Sequence, residues 1–195
     1  MRLEKRARVK VDIDNVLNDL TMRVVDVYSN EHKVCLSYND IIDYNFNGIG
    51  DEVVISGLIE ILNRPDILED LTPLTDSQAG LMMLCKDYDV WLATASTPEA
   101  FVKKVKWCKQ YFPWFETDRI ICIKDKFLLR TDYSIDDLPD NLIGDLTTRI
   151  LVDSPWNKSY RDDAWGFHRV NDLVEAYHTI NKLQDEFESM LDIRG

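Results

Sequence analysis

Residues 9–15 of the chain read Val9-Lys10-Val11-Asp12-Ile13-Asp14-Asn15. Apolar and polar side chains alternate along this stretch, which is the pattern of a β-strand, and the pattern breaks at Asn15. Two acids, Asp12 and Asp14, therefore lie at the end of the strand. Because ligand sites in an open α/β sheet lie at the carboxyl ends of the strands, this acidic pair predicts a functional site there.

Further apolar runs alternate with helical patterns along the rest of the chain. More strands are predicted at Val90–Thr94, Arg119–Ile123, Tyr133–Ile135 and Arg149–Val152. The last helix is predicted to place apolar side chains between Leu173 and Leu191 on one face. Strands that alternate with helices predict parallel pairing and right-handed crossovers. The predicted fold class is therefore α/β, with a Rossmann-like parallel sheet of about five strands flanked by helices.

The stretch from residue 19 to residue 74 has a different character. Helix-like segments are interrupted there by polar breaks around residues 44–48 and 63–66, and we find no strong strand pattern. We therefore predict a small, mainly helical cap at 19–74, inserted into a core made of 1–18 and 75–195. Directly after the insertion, Thr75-Asp76-Ser77-Gln78 has the spacing of a capping box, which predicts the start of a helix.

Length, charge and cysteine content limit the class of protein. A chain of 195 residues suits one core domain with a modest insertion. The formal net charge of -12 argues against binding to nucleic-acid polymers, because such binding needs a basic surface. We expect no membrane contact, because no stretch approaches the roughly twenty apolar residues of a membrane span. The four cysteines lack zinc-site spacing, and we expect reduced thiols in a cytoplasmic protein.

Further polar elements follow the later apolar runs. Thr94 ends the second run, Lys126 follows the third, and Asp136-Asp137 ends the fourth. Acidic side chains are typical ligands of Mg²⁺, whereas a hydroxyl and an ammonium group suit a phosphate. Each feature has an ordinary explanation when taken alone, such as a solvated turn or a helix cap. Their position at successive strand ends favours one site that handles a phosphate and a divalent cation.

The order of these elements resembles the motifs of the haloacid dehalogenase superfamily of phosphotransferases. Residues 11–17 resemble its first motif, 91–94 its second, Lys126 its third and 135–137 its fourth. The acid two residues after Asp12 resembles the phosphatase branch in particular. Within that branch, the chain is similar to the 5'(3')-deoxyribonucleotidase family in the ten-residue spacing from Lys126 to Asp136, in the stretch 150–157, and in the insertion after the first motif.

The resemblance implies a role for each motif residue. Asp12 is implied as the nucleophile that forms an aspartyl-phosphate, and Asp14 as the general acid and base. Thr94 and Lys126 are implied as catalytic groups that orient the phosphate and offset its charge. Mg²⁺ is the implied cofactor, and its implied ligands are Asp12, Asp14, Asp136 and Asp137.

The implied substrate is a small phosphomonoester, in particular a deoxyribonucleoside monophosphate. Its expected contacts are Thr94, Lys126, the loop residues Asn15, Ala95 and Ser96, and the stacking candidates Tyr44 and Phe46. The base, the sugar, and the choice between a 5' and a 3' phosphate are open from the sequence. So is the choice between a monomer and a homodimer.

Other functions are also compatible with these residues. One is a haloacid dehalogenase-like phosphatase for another small phosphomonoester, and another is a non-catalytic relative that binds nucleotides or a protein partner. A third is the phosphoacceptor receiver domain of signalling proteins, which also combines acids, a threonine, a lysine and Mg²⁺. In that domain the lysine is the last element, whereas here Lys126 precedes Asp136-Asp137, and this order disfavours it.

Overall fold

The computed structural model describes residues 6–144 and 146–192 and shows a parallel sheet flanked by helices. Six strands form the sheet: β1 Arg8–Val11, β2 Asp89–Thr94, β3 Ile120–Cys122, β4 Tyr133–Asp136, β5 Thr148–Val152 and β6 Phe167–Val170. Their order is β3-β2-β1-β4-β5-β6, and neighbouring strands are parallel. The predicted α/β fold is confirmed. The outermost ends of the predicted core, residues 1–5 and 193–195, lie outside the described residues.

Strand β1 lies in the middle of the sheet and is buried. Val9 and Val11 are both 0% exposed. The register pairs Val11 with Leu92 on β2 and with Ile135 on β4. Because all of these strands run in the same direction, the residues that follow β1, β2 and β4 meet at one edge of the sheet.

The sheet contains one strand more than the sequence predicts. This strand, β6, has the sequence Phe167-His168-Arg169-Val170, in which two partly exposed polar residues separate two buried apolar ones. The pattern is neither an apolar run nor a strict alternation, so it carries neither of the usual strand signals. β6 pairs with β5 at the edge of the sheet, for example through Val152 and Val170. This pairing forms the strand, which the local sequence does not predict.

The helices pack around this sheet. In the described ranges they are α1 Leu20–His32, α2 Glu52–Leu62, α3 Ser77–Asp87, α4 Pro98–Tyr111, α5 Pro139–Leu142, α6 Asp162–Trp165 and α7 Leu173–Asp192. The first part of α7 buries Leu173, Ala176 and Ile180, as its periodicity predicts, but Phe187 is 60% exposed. The side chain of Leu191 lies outside the described part. None of the helices in the described ranges combines the length and apolar character that crossing a membrane requires.

The start of α3 differs from the predicted capping box. The N-cap residue is Asp76, with a φ of 64°, and its side chain makes no capping hydrogen bond. Ser77 is the first helical residue and is buried. The turn before α3 is closed by a hydrogen bond from the Ser77 amide to the Leu74 carbonyl, at 3.1 Å, and not by a reciprocal side-chain cap. The helix is therefore present where predicted, but the predicted capping interaction is wrong.

Residues 19–74 contain α1, α2 and two 3-10 turns, Tyr38–Asp40 and Pro65–Leu68. The two ends of this segment are held together. The Asp19 amide donates to the Thr72 carbonyl at 3.2 Å, and the Thr72 hydroxyl donates to the Asp19 carboxylate at 2.6 Å. The Leu74 amide donates to the Leu17 carbonyl at 2.9 Å. Hydrogen bonds thus pair the two ends of residues 19–74 with each other and with Leu17.

Candidate active site

Three acidic side chains meet at the carboxyl edge of the sheet. Asp12 directly follows β1, Asp136 is the last residue of β4, and Asp137 comes next. Their exposures are 8%, 3% and 2%. Each offers a carboxylate oxygen, and these oxygens lie within 4.8 Å of one another. Acids that are 124 residues apart in the chain, such as Asp12 and Asp136, therefore form one buried group, because β1 and β4 are neighbours.

Lys126 reaches into this acidic group from the loop between β3 and β4. It begins the 3-10 turn Lys126–Leu128 and is 4% exposed. Its Nζ lies 2.7 Å from Asp12 Oδ1 and 2.7 Å from Asp136 Oδ2. The ammonium group therefore bridges the acid after β1 and the acid at the end of β4.

The buried charges change the proton affinity of the group. Burial raises the pKa of the Asp12 carboxyl to about 7, against the opposing charge of Lys126 and with the support of Asp136. Burial and Asp136 also hold the pKa of Asp137 well above its usual range. Burial opposes the charged form of Lys126, but the carboxylates of Asp12 and Asp136 raise the pKa of its ammonium group. The single ammonium group of Lys126 thus faces several carboxyl groups. The acidic group can therefore accept further positive charge.

The acidic group fits a hard divalent cation. Its donors are carboxylate oxygens from Asp12, Asp136 and Asp137, which are the ligand type that Mg²⁺ prefers. Asp137 Oδ2 is buried and makes no hydrogen bond to the protein. A buried polar oxygen without a partner is costly, and a bound cation would satisfy it. These residues are therefore suited to hold a metal ion.

Asp14 is held by different partners. Its Oδ2 is paired with the Lys104 ammonium group, and its Oδ1 accepts a hydrogen bond from Asn18 Nδ2 at 3.1 Å. Lys104 Nζ also donates to the hydroxyl of Thr94 at 2.8 Å. Thr94, the last residue of β2, is 1% exposed. Lys104 therefore links the second acid after β1 to the hydroxyl at the end of β2.

Lys104 was not among the residues predicted for the site. It lies in α4 among other lysines, where charged side chains usually face solvent. One signal was available, because Lys104, Trp107 and Cys108 have the i, i+3, i+4 spacing of a single helix face. These three residues are the buried ones of α4. A lysine in phase with the apolar face of a helix is thus a candidate for a buried partner of an acid.

The loop residues predicted for substrate binding have different environments. Asn15 is 6% exposed with a φ of 58°, and its amide donates to Asn18 Oδ1 at 3.2 Å. Its side-chain oxygen accepts from the Thr21 amide at 2.9 Å. Ala95 and Ser96 face the cavity described below. Asn15 thus shapes the turn after β1, whereas Ala95 and Ser96 are accessible.

A cavity of about 340 Å³ opens beside these residues. Asp14, Ala95, Ser96 and Lys104 line it from the sheet side, and the wall formed by segment 19–74 consists of Leu20, Tyr44, Leu62, Asn63, Arg64 and Leu68. The cavity thus lies between the sheet domain and the inserted segment. Its position gives a ligand direct access to Asp14.

The two aromatic candidates of the inserted segment differ. Tyr44 lines the cavity, and its ring packs edge-on against Trp156 with centroids 5.8 Å apart. Burial raises the pKa of its hydroxyl, so this group stays protonated. Phe46 is 2% exposed and belongs to the hydrophobic core. The structure brings Tyr44 to the cavity and does not bring Phe46 there.

Comparison with known families agrees with this arrangement. Residues 6–184 match the family described as 5' nucleotidase, deoxy (pyrimidine), cytosolic type C protein. The chain belongs to this family. The resemblance seen in the sequence motifs is thereby confirmed, and membership makes the chain a phosphoric monoester hydrolase.

Individual relatives of the family give a consistent result. A Bacillus subtilis protein named 5'(3')-deoxyribonucleotidase is 26% identical over 153 residues, which is 77% of this chain and 87% of the relative. A protein of Bacillus phage SPbeta with the same name matches to the same extent. The chain therefore spans most of the length of these nucleotidase-family members.

Solved structures support the fold. A haloacid dehalogenase-like hydrolase from Streptococcus pneumoniae has a TM-score of 0.59 at 12% identity, covering 90% of this chain and 98% of that one. The Bacillus subtilis hydrolase YfnB, solved bound to magnesium, has a TM-score of 0.54 at 11% identity, covering 91% and 100%. At these identities the likeness concerns the fold, which is that of the haloacid dehalogenase-like hydrolases.

Proposed function

We propose that the chain is a magnesium-dependent 5'(3')-deoxyribonucleotidase that hydrolyses deoxyribonucleoside monophosphates. The observation that carries this proposal is the buried group of Asp12, Asp136 and Asp137 bridged by Lys126. It provides a nucleophile, metal ligands and a cation at one edge of the sheet. The relatives named above supply the substrate class, and the adjacent cavity of about 340 Å³ has a size suited to a small ligand.

The carboxylates of Asp12, Asp136 and Asp137 would hold Mg²⁺, together with the carbonyl of Asp14. The unsatisfied Oδ2 of Asp137 supports this assignment. When bound, the ion would supply Lewis-acid polarisation of the phosphoryl group and offset the repulsion between phosphate and carboxylates.

Asp12 is proposed as the nucleophile. Its Oδ1 accepts hydrogen bonds from the Ile13 amide, at 2.7 Å, and from Lys126. These bonds fix the carboxylate plane, and we assign the attack on phosphorus to the other oxygen, Oδ2. The new bond from Oδ2 to phosphorus forms as the bond from phosphorus to the leaving nucleoside oxygen breaks. The product is an aspartyl-phosphate, which divides one difficult displacement into two easier ones.

Asp14 is proposed as the general acid and base. It lines the cavity, so it can reach the leaving oxygen of a bound nucleotide. In the first step, protonated Asp14 gives its proton to that oxygen and becomes a carboxylate. In the second step, the Asp14 carboxylate takes a proton from the water that attacks phosphorus, and the bond from phosphorus to Asp12 Oδ2 breaks, which releases inorganic phosphate and restores the Asp12 carboxylate. Lys104 pairs with Asp14 and so stabilises the carboxylate between the two steps.

The phosphate would be held by groups from three loops. Lys126 offsets the charge that develops on the phosphoryl oxygens, and the Thr94 hydroxyl and the amides of Ala95 and Ser96 donate to them. Thr97 caps α4, because its side chain accepts from the Ala100 amide at 3.3 Å. The positive end of the α4 dipole thus lies beside this loop, where it favours a bound phosphate. Asn15 would act through the turn that it forms after β1.

We also propose that residues 19–74 form a cap on a core of 1–18 and 75–195. The paired ends of the segment support this division, because they connect it to the core through a short neck. The cavity lies between the two parts, so movement of the segment would open or close it. Closure would exclude bulk water from the aspartyl-phosphate and place Tyr44 against the sugar or base of the substrate.

A cytoplasmic location belongs to the same proposal. The matched family carries the word cytosolic in its description, and the four cysteines are free thiols. A cavity of this size accommodates a mononucleotide rather than a polymer.

The substrate assignment is tested with purified protein and Mg²⁺. Phosphate release is measured with 5' and 3' deoxyribonucleoside monophosphates, the corresponding ribonucleotides, and several sugar phosphates. We expect the highest kcat/KM for a deoxyribonucleoside monophosphate and no release in EDTA. Hydrolysis confined to sugar phosphates would identify a different phosphatase of the same fold. Absence of hydrolysis with every compound would contradict the proposed function.

A further inference from the structure

Lys10 is a buried cation that the proposed mechanism does not use. It lies within β1 and is 2% exposed. The register places it beside Trp91 on β2 and Ser134 on β4. An ammonium group in the interior of a sheet is costly unless it makes hydrogen bonds, so its contacts indicate why it is tolerated.

The Lys10 ammonium group donates to the backbone carbonyl of Lys126 at 2.8 Å. Lys126 in turn directs its own ammonium group to Asp12 and Asp136. Lys10 and Asp12 are two residues apart at the end of the same strand, so both side chains leave the sheet in the direction of Lys126. One lysine thus holds the backbone of the residue whose side chain contacts the proposed nucleophile.

The turn that carries Lys126 has mostly local support. Its backbone bonds connect near neighbours, namely Lys126 to Lys124 at 3.1 Å, Leu128 to Asp125 at 3.0 Å and Leu129 to Lys126 at 3.2 Å. The next two side chains, Phe127 and Leu128, are 56% and 63% exposed, so they anchor the turn poorly. The bond from Lys10 connects this turn to the central strand, 116 residues away.

From this contact we infer that Lys10 is a positioning residue for Lys126, and the inference rests on the proposed phosphatase function. The effect of Lys10 passes through the carbonyl that it binds. A displacement of about 1 Å in a group that stabilises a transition state can lower the rate by about 100-fold. Removal of the Lys10 ammonium group should therefore slow chemistry and leave substrate affinity nearly unchanged.

The first test is the kinetics of Lys10→Met, which keeps an unbranched side chain as far as Cε and removes the ammonium group. With the best substrate of the wild-type protein, we expect kcat to fall by about 10- to 100-fold and KM to change by less than about threefold. The matched control is Val90→Ala, on the neighbouring strand one residue before Trp91, the register partner of Lys10. This control loses core packing and should keep its kcat within about twofold. An unchanged kcat in Lys10→Met would overturn the inference.

A double-mutant cycle separates positioning from general loss of structure. The probe is p-nitrophenyl phosphate, whose good leaving group keeps slow variants measurable. In a Lys126→Met background, Lys10→Met should lower kcat by less than about twofold further, because the side chain that it positions is gone. The same fold-change in both backgrounds would contradict the inference. Should Lys10→Met not fold, Lys10→Gln, which is too short to reach the carbonyl, replaces it with the same expected results.

A crystal structure of the Lys10 variant provides a readout that is independent of activity. We expect the Lys126 ammonium group to move away from Asp12, while β1 keeps its place. An unmoved Lys126 would overturn the inference even in an active enzyme. An inactive wild-type protein would instead contradict the proposed function, and the position of Lys126 in the variant would still test the role of Lys10.

Discussion

Burial and the proposed role of Asp12 place opposite demands on the ionisation of its carboxyl group. Asp12 is buried, which favours the protonated carboxyl, whereas the proposed attack on phosphorus requires the ionised form. Contact with Lys126 at 2.7 Å offsets part of the cost of that charge. The same lysine also contacts Asp136, so the geometry of the nucleophile depends on the position of a residue in another loop.

Replacement of the nucleophile gives the first prediction. Asp12→Asn keeps the size of the side chain but removes the charged oxygen, so kcat should fall by at least about 1,000-fold, since covalent catalysis is lost. Because a buried charge near other acids is also removed, the melting temperature should be equal to or above that of the wild type. Phosphate release and thermal unfolding measure the two effects. Wild-type activity in Asp12→Asn would exclude this residue as the nucleophile.

Lys104 provides a second prediction. Lys104→Met removes the partner of Asp14 and the donor to Thr94. We expect kcat to fall by about 10- to 100-fold, because the carboxylate form of Asp14 loses its cation and the general acid and base is misplaced. The matched control is Lys106→Met, since Lys106 is an exposed lysine of the same helix. Equal activities of the two variants would remove Lys104 from the mechanism.

Some of these residues could be found from sequence and others could not. The motif residues Asp12, Thr94, Lys126 and Asp136 lie next to apolar runs, and parallel pairing then brings strand ends together. Lys104 comes from a helix, and its side chain direction depends on how that helix packs. Phe46 was a stacking candidate as an aromatic residue of the predicted cap, but such residues are more often part of the core, and Phe46 is buried there.

Among the strands and helices, the sequence predicts those with a strong local pattern and misses those with a weak one. β1, β2 and α7 have clear periodicity, and the structure contains them where the sequence predicts them. β6 is defined by its neighbour β5, which a local pattern does not encode. The capping-box spacing that begins at Thr75 also occurs by chance, and in the structure the N-cap of α3 is Asp76, which has a φ of 64° and makes no side-chain capping hydrogen bond.

The contact between α3 and α7 gives a prediction at this scale. A Cβ added at Gly80 would lie 2.5 Å from Leu173 Cβ and 2.7 Å from the Val174 amide nitrogen. Because backbone atoms must then move, Gly80→Ala should lower the free energy of unfolding by about 1–3 kcal/mol, despite the better helix propensity of alanine. This corresponds to a decrease in melting temperature of about 2–4 °C per kcal/mol.

The control for Gly80→Ala is Ala79→Ser, at an exposed position of the same helix. Its melting temperature should change by less than about 2 °C. Thermal unfolding followed by circular dichroism is the measurement. A Gly80→Ala protein as stable as the wild type would show that the helices are further apart than described.

At the scale of the whole molecule, the sheet topology brings the site together. The order β2-β1-β4 places the ends of three strands side by side, and the chain between them supplies the inserted segment and the Lys126 loop. The position of this edge follows from parallel pairing, so it was predictable from the sequence. The shape of the cavity was not, because it depends on how residues 19–74 lie against the sheet.

The buried acids predict how the stability of the whole fold depends on pH and on Mg²⁺. The pKa of Asp12 is raised to about 7 from an ordinary value of 3.8. Between these pH values the folded protein holds a proton that the unfolded chain has lost, so the free energy of unfolding falls as pH rises through this window. If Mg²⁺ binds these acids as proposed, it competes with this proton, and it should raise the melting temperature more at pH 7.5 than at pH 5.5.

Thermal unfolding in Mg²⁺ and in EDTA at both pH values measures this linkage. Asp137→Asn is the control variant, because it lacks one of the proposed ligands and should show a smaller effect of Mg²⁺. An equal increase in melting temperature at the two pH values would argue against a proton that competes with the metal at these acids.

Asp12 is proposed to carry the phosphate during turnover, and rapid-quench trapping detects this intermediate. The protein is mixed with Mg²⁺ and a deoxyribonucleoside monophosphate labelled in the phosphate, quenched in acid within the first turnover, and digested. We expect transient label on the peptide that contains Asp12, removed by hydroxylamine and absent from Asp12→Asn. Stable label on another residue, or full turnover by Asp12→Asn, would contradict this role of Asp12.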